Sequence, residues 1–246
     1  MIIKVCGMRD AANIREVDQL LAELSTVHGP SSLVHGPSSL VHGPLYIPLM
    51  GFIFWPPSKR YVSERPTYLP EHCQRVGVFV DEDIDQVQRT AADYALDFIQ
   101  LHGHETPEYL RALRSVCGDS IATIKAFNIA TIADLAATKP YEGLADYFLF
   151  DAKTALPGGS GSQFDWSILD AYDGDTPFLL SGGIGPDDAE ILQSPLQRGG
   201  AGGGPLAQCV GIDLNSCFEL APALKDVAAL RRFLYQLNCK SQIVKL

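Results

Sequence analysis

Two residues at the ends of short apolar runs have side chains suited to moving protons. Cys6 closes IIKVC and is followed by Gly7, and Asp151 closes YFLFD. A thiol becomes a base as its thiolate, and desolvation pushes a carboxyl at the edge of an apolar wall toward its protonated, proton-donating form. On opposite sides of one mouth the two would make an acid/base pair. Taken alone, Cys6 reads as an inert core thiol.

Other residues would hold a substrate rather than transform it. Arg60, in WPPSKRY, carries a planar fork that fits a carboxylate in bidentate fashion. Its plain alternative is a solvated surface charge. His102, after IQL, reads either as catalytic or as an orienting residue at a rim, and the second is favoured. In SGGIGPDDAE, Gly182 and Gly183 let the backbone approach a ligand closely, and a helix start follows with Pro186 in its first turn. Together with Asp213, Asn215 and Ser216 in DLNS, this stretch is a candidate phosphate site. An ordinary glycine turn is the alternative.

These residues need a scaffold that brings distant strand ends together. Eight apolar runs provide the ends: 2–7, 50–55, 75–80, 96–103, 121–129, 145–151, 176–183 and 209–216. Helix-patterned segments follow most of them: AANIREVDQLLAEL, DEDIDQVQRTAADY, TPEYLRALRSV, TIADLAAT, PDDAEILQ and LKDVAALRRFLYQL. Near-continuous apolarity fits parallel strands buried on both faces. Right-handed crossovers of this length close into a single α/β domain, a (β/α)8 TIM barrel over 1–246, with chemistry at the C-terminal strand ends. A doubly wound open sheet is the runner-up; no GxGxxG follows the first strand to support it.

Two segments break the rhythm. VHGPSSLVHGPSSLVHGP (27–44) repeats a heptapeptide and places His28, His35 and His42 seven residues apart. LQRGGAGGGPLAQ (196–208) is rich in glycine. Both fall between a helix and the next strand, which is the barrel face away from Cys6 and Asp151. The repeat holds no carboxylate or cysteine to complete a metal site, so a surface insertion from duplication is the expected reading and a metal or partner arm the alternative.

The chain has 246 residues, 46% hydrophobic and 20% charged, enough for a sizeable core. With 19 basic and 29 acidic residues its net charge of −10 argues against a nucleic-acid partner. The six cysteines form no CxxC pair, the start MIIKVCGMRD shows no secretory leader, and no apolar run is long enough for a membrane span. A reducing cytoplasm is expected.

KVCGMRD, GFIFWPPSKRYV, RVGVFVDE, IQLHGHE, IKAFNI, FDAKTALPGGSGSQFDW, LLSGGIGP and GIDLNSCFE together resemble the phosphoribosylanthranilate isomerases of tryptophan biosynthesis. The motifs run in order from residue 2 to about 236, with only the repeat and the glycine-rich segment outside them. The resemblance implies a (β/α)8 barrel that converts N-(5-phosphoribosyl)anthranilate to 1-(2-carboxyphenylamino)-1-deoxyribulose 5-phosphate by an Amadori rearrangement, with no metal or cofactor. It implies Cys6 as general base and Asp151 as general acid. Arg60 would take the anthranilate carboxylate and Asp213 would lie near the sugar hydroxyls. Gly182, Gly183, Asn215 and Ser216 would take the phosphate. A thiolate base calls for a donor-rich setting around Cys6. The chain departs from the family in its two insertions and in Cys217, where an Arg often follows DLNS. The family contains monomers and homodimers, and either state fits. The competing readings are another phosphate-binding barrel, such as a thiamine-phosphate or indole-glycerol-phosphate synthase, and a non-catalytic binding protein that uses the histidine repeat.

Overall fold

The computed structural model describes residues 1–26, 46–152, 166–192 and 208–239. Eight parallel strands close into one barrel in sequence order: β1 Ile2–Cys6, β2 Ile47–Ile53, β3 Gln74–Phe79, β4 Phe98–Leu101, β5 Ala122–Ile129, β6 Tyr147–Ala152, β7 Phe178–Ser181 and β8 Cys209–Leu214. β1 pairs with both β2 and β8, so the first and last strands form the closing seam.

Alternation along each strand separates two cores. Ile2, Leu49, Val76, Val78, Phe98, Ile124, Ala126, Leu149 and Leu179 fill the barrel interior with Cys6. The intervening residues, among them Ile3, Val5, Phe52, Phe148 and Ile212, face outward against the helices. Filled interiors of this kind leave chemistry to the rim.

α1 (Ala11–Thr26) begins where the Asp10 carboxylate accepts from the Asn13 amide at 2.8 Å. Its buried Ile14, Val17, Leu20, Leu21 and Leu24 recur at helical spacing. Each such side chain contributes about 1.5–3 kcal/mol on burial. α2 (Ile84–Tyr94) is capped by Asp83, and α3 (Pro107–Cys117) by Thr106 with Pro107 in its first turn.

Several elements differ from the sequence reading. TIADLAAT lies in a 3-10 helix, Ile132–Tyr141, that carries Pro140, and a second 3-10 turn spans Trp166–Ala171. The last helix, α4 (Val227–Cys239), starts later than LKDVAALRRFLYQL suggested. Leu224–Lys225 instead forms β10, paired antiparallel with β9 (Glu219–Ala221). The cause is Asn13 on α1. Its side-chain amide donates to the Lys225 carbonyl at 3.0 Å, and its oxygen accepts from the Lys225 amide at 2.7 Å. Those bonds replace the ones a helix would have made.

The heptapeptide repeat lies outside the described residues, as does all of the glycine-rich segment except Gln208. Their flanks are described: α1 ends at Thr26 and β2 starts at Ile47, while residues 189–192 are helical and β8 starts at Cys209.

Candidate active site

The seam between β1 and β8 carries the most unusual chemistry. Two-residue alternation puts Ile2, Lys4 and Cys6 on the inward face of β1. Lys4 is the register partner of Asp213 on β8. Their side chains form an ion pair of 2.9 Å, with Lys4 0% and Asp213 6% exposed. The Lys4 ammonium also acts on the Cys6 thiol, in the sense that favours its thiolate. Asp213 Oδ1 is buried and has no partner among the described residues. Gly51, opposite Cys6 on β2, leaves the thiol its space: a Cβ there would stand 2.8 Å from Sγ.

Burial is the largest influence on Cys6 and pushes its thiol up; Asp213 adds to this, while Lys4 and Lys225 pull it down. The two ammoniums work against burial without offsetting it, so the thiol is held above its ordinary range, whereas a thiolate base calls for a more donor-rich setting. Burial also raises the Asp213 carboxyl, against the pull of Lys4. Burial disfavours the charge on Lys4, but Asp213 and Cys6 more than offset it and raise its pKa.

Across the barrel, Asp151 is the penultimate residue of β6, beside Ser181 of β7. A carboxyl against an apolar wall was expected. Instead Asp151 is 24% exposed, and His102 Nε2 stands 3.5 Å from Oδ2. Gln100 Nε2 lies 3.0 Å from His102 Nδ1. With Gln100 donating, the imidazole carries its proton on Nε2 and turns it toward Asp151. Gln100 and Asp151 thus flank the two ring nitrogens of His102.

Arg60 arrives from the loop after β2. Its Nε donates to both oxygens of Glu219, at 2.8 and 3.0 Å, and Nη2 reaches the same carboxylate. One edge of the guanidinium is thus occupied by the protein, leaving the Nη1 end for a ligand. Glu219 also accepts from the Lys225 ammonium at 2.7 Å, and Lys225 reaches Asn215 Oδ1 at 2.9 Å. Gly7, at φ +80°, makes room for this group: a Cβ there would stand 2.6 Å from Arg60 Cδ and 2.9 Å from Asn215 Oδ1.

The loop after β7 turns through Gly182 and Gly183, at φ 90° and 69°, which L side chains rarely adopt. The Gly185 amide already donates to the buried Asp188 carboxylate at 2.7 Å, so it is not a free anion donor. Ser216 opens a short 3-10 turn after Asn215. Cys217 is in that turn, its Cβ 3.9 Å from where a Cβ on Gly185 would be, so it adjoins the candidate phosphate loops. Its thiol supplies no charge like that of an arginine.

All eight predicted site residues lie at or beside the C-terminal strand ends. Lys4, Gln100, Glu219 and Lys225 were missed. Lys4 had a signal, because it shares the inward face of β1 with Cys6. Among the described residues no cluster of three His, Cys, Asp or Glu is arranged to hold a metal, and no helix is long and apolar enough to cross a membrane.

Residues 47–236 match the family described as N-(5'-phosphoribosyl)anthranilate (PRA) isomerase. The chain is 46% identical to N-(5'-phosphoribosyl)anthranilate isomerase of Phocaeicola vulgatus, covering 98% of this chain and 100% of the relative. It is 42% identical to that of Parabacteroides distasonis, covering 96% and 93%. The crystal structure of phosphoribosyl anthranilate isomerase from Thermotoga maritima superposes with a TM-score of 0.69 at 27% identity, covering 97% of this chain and 100% of that one. With the barrel and the strand-end constellation already in view, these matches place the chain: it belongs to the phosphoribosylanthranilate isomerase family, enzymes of tryptophan biosynthesis.

Proposed function

We propose that the chain converts N-(5-phosphoribosyl)anthranilate to its aminodeoxyribulose phosphate with Cys6 as base and Asp151 as acid. Asp151 protonates the furanose ring oxygen, the C1′–O bond breaks, and the anilino nitrogen's lone pair forms the iminium. The Cys6 thiolate takes the C2′ proton, giving an enolamine that tautomerises to the ketone. Proton shifts complete the reaction, so no metal or cofactor is called on.

The observation that carries this reading is the inward-facing thiol at the end of β1, given its space by Gly51 and sharing its face with the buried Lys4 ammonium. Asp213 Oδ1, buried and unpartnered among the described residues, suits a sugar hydroxyl as donor. The free end of Arg60 suits the anthranilate carboxylate. Gly182, Gly183, Asn215 and Ser216 are the phosphate contacts.

Loss of anthranilate-type fluorescence follows the reaction. Cys6→Ala and Asp151→Asn each lower kcat/KM about 10²–10⁴-fold or more. Full activity in a folded Cys6→Ala variant overturns the role of the thiol.

A further inference from the structure

The buried Lys225 has no part in those steps. Its ammonium has three donors, and it reaches the Asn215 carbonyl at 3.2 Å, Asn215 Oδ1 at 2.9 Å and Glu219 Oε1 at 2.7 Å. Asn13 fixes its main chain from α1. Burying an ammonium is expensive even when it is paired, and a well-packed apolar side chain often serves stability as well or better. A role in holding the hairpin therefore does not explain why a charge stands here.

The neighbours of that charge do. Asn215 Oδ1, which Lys225 holds, packs against Gly7, one residue from Cys6. Lys225 acts on the Cys6 thiol in the sense that favours the thiolate. The other groups facing that thiol are Lys4 and Asp213 inside the barrel and Arg60 from the loop after β2. His102 and Asp151 act on Asp213 from across the mouth. Lys4 brings its carboxylate partner with it, and Asp213 opposes the thiolate. The partner of Lys225, Glu219, is turned to Arg60 with both oxygens.

We propose that Lys225 is a positioning residue for the isomerase base: its buried ammonium, held between Asn215 and Glu219, fixes the loop after β8 against Gly7, one residue from Cys6. The proposal rests on the reading of Cys6 as base.

The test is the pH profile of kcat/KM, with the pH dependence of Cys6 methylation by methyl methanethiosulfonate, located at Cys6 by peptide mass spectrometry, as a readout independent of turnover. In Lys225→Met the acid limb of the profile and the Cys6 methylation midpoint both move up by about one pH unit, a tenfold loss of kcat/KM below the midpoint. Lys225→Arg, which keeps the charge, returns both toward the wild-type position. If Lys225→Met does not fold, Lys225→Gln, which keeps a donor toward Asn215 and Glu219 without the charge, is read instead, and the same upward shift is expected. A folded variant lacking the Lys225 charge, with both midpoints unmoved while Cys6→Ala is inactive, overturns the proposal and leaves the base reading intact. Activity in Cys6→Ala overturns the base reading; the methylation midpoint still reports whether Lys225 controls the thiol.

Discussion

Asp18 and Asp213 are both buried carboxylates, one on α1 against the segment leading into β3, the other inside the barrel on β8. Asp18 accepts from the Tyr68 hydroxyl at 2.8 Å and from the amides of Glu71, His72 and Cys73 at 2.9, 3.1 and 2.9 Å. Burial opposes its charge, but the donors more than offset that and hold its carboxyl below the ordinary range. Asp213 has one cation on one oxygen and none of this lattice on the other, and burial raises it. Equal burial therefore does not mean equal purpose. Asp18 spends its acceptor capacity on the protein, whereas Asp213 keeps one oxygen without a partner among the described residues.

The largest effect that separates the two is removal of a partner. Lys4→Met leaves Asp213 without its cation and costs about 3–5 kcal/mol of stability near neutral pH. Because burial raises the Asp213 carboxyl, its neutral form relieves that cost at low pH. The deficit in denaturant unfolding should shrink as pH falls, and a deficit independent of pH breaks the account. Asp18→Ala strips four donors of their acceptor and costs about 2–3 kcal/mol by the same measurement. Its kcat/KM per folded molecule should match wild type, and a loss of catalysis there would erase the contrast.

Acid sharpens it further. The Asp18 carboxyl is depressed when folded, so its contribution is full above the ordinary value of 3.8 and is lost as pH falls through the depressed one. Asp18→Asn should therefore lose less stability than wild type between pH 4 and pH 2, to be read from urea midpoints. The smallest effect belongs to an exposed carboxylate. Glu23 pairs with Arg231 at 2.7 Å between α1 and α4, and Arg231→Ala should change stability by less than about 1 kcal/mol.

The barrel was legible because its strands announce themselves as apolar runs punctuated by glycine and charge. Cys6 and Asp151 could be placed because a strand end is a position that sequence can locate, and Arg60 because it lies in the loop that follows a strand. Lys4 was harder. Period-two alternation puts it under Cys6, but nothing local names its partner, which lies 209 residues along the chain. Lys225 was misread because KDVAALRRFLYQL has helical spacing, and only Asn13, 212 residues away, turns its first residue into strand. Glu219 sat within a quoted motif without a role, since its role is to hold Arg60 across 159 residues. What was missed in each case is a long-range bond rather than a local propensity.

The seam has a consequence in time. Cys6 is made well before β8, yet Lys4 gains its carboxylate only when β8 reaches it, and Arg60 gains Glu219 only after that. During synthesis the chain grows from its N-terminus. The Lys4–Asp213 pair and the Arg60–Glu219 clamp therefore form only once the last strand and its hairpin are in place, so both contacts report that the ring has closed.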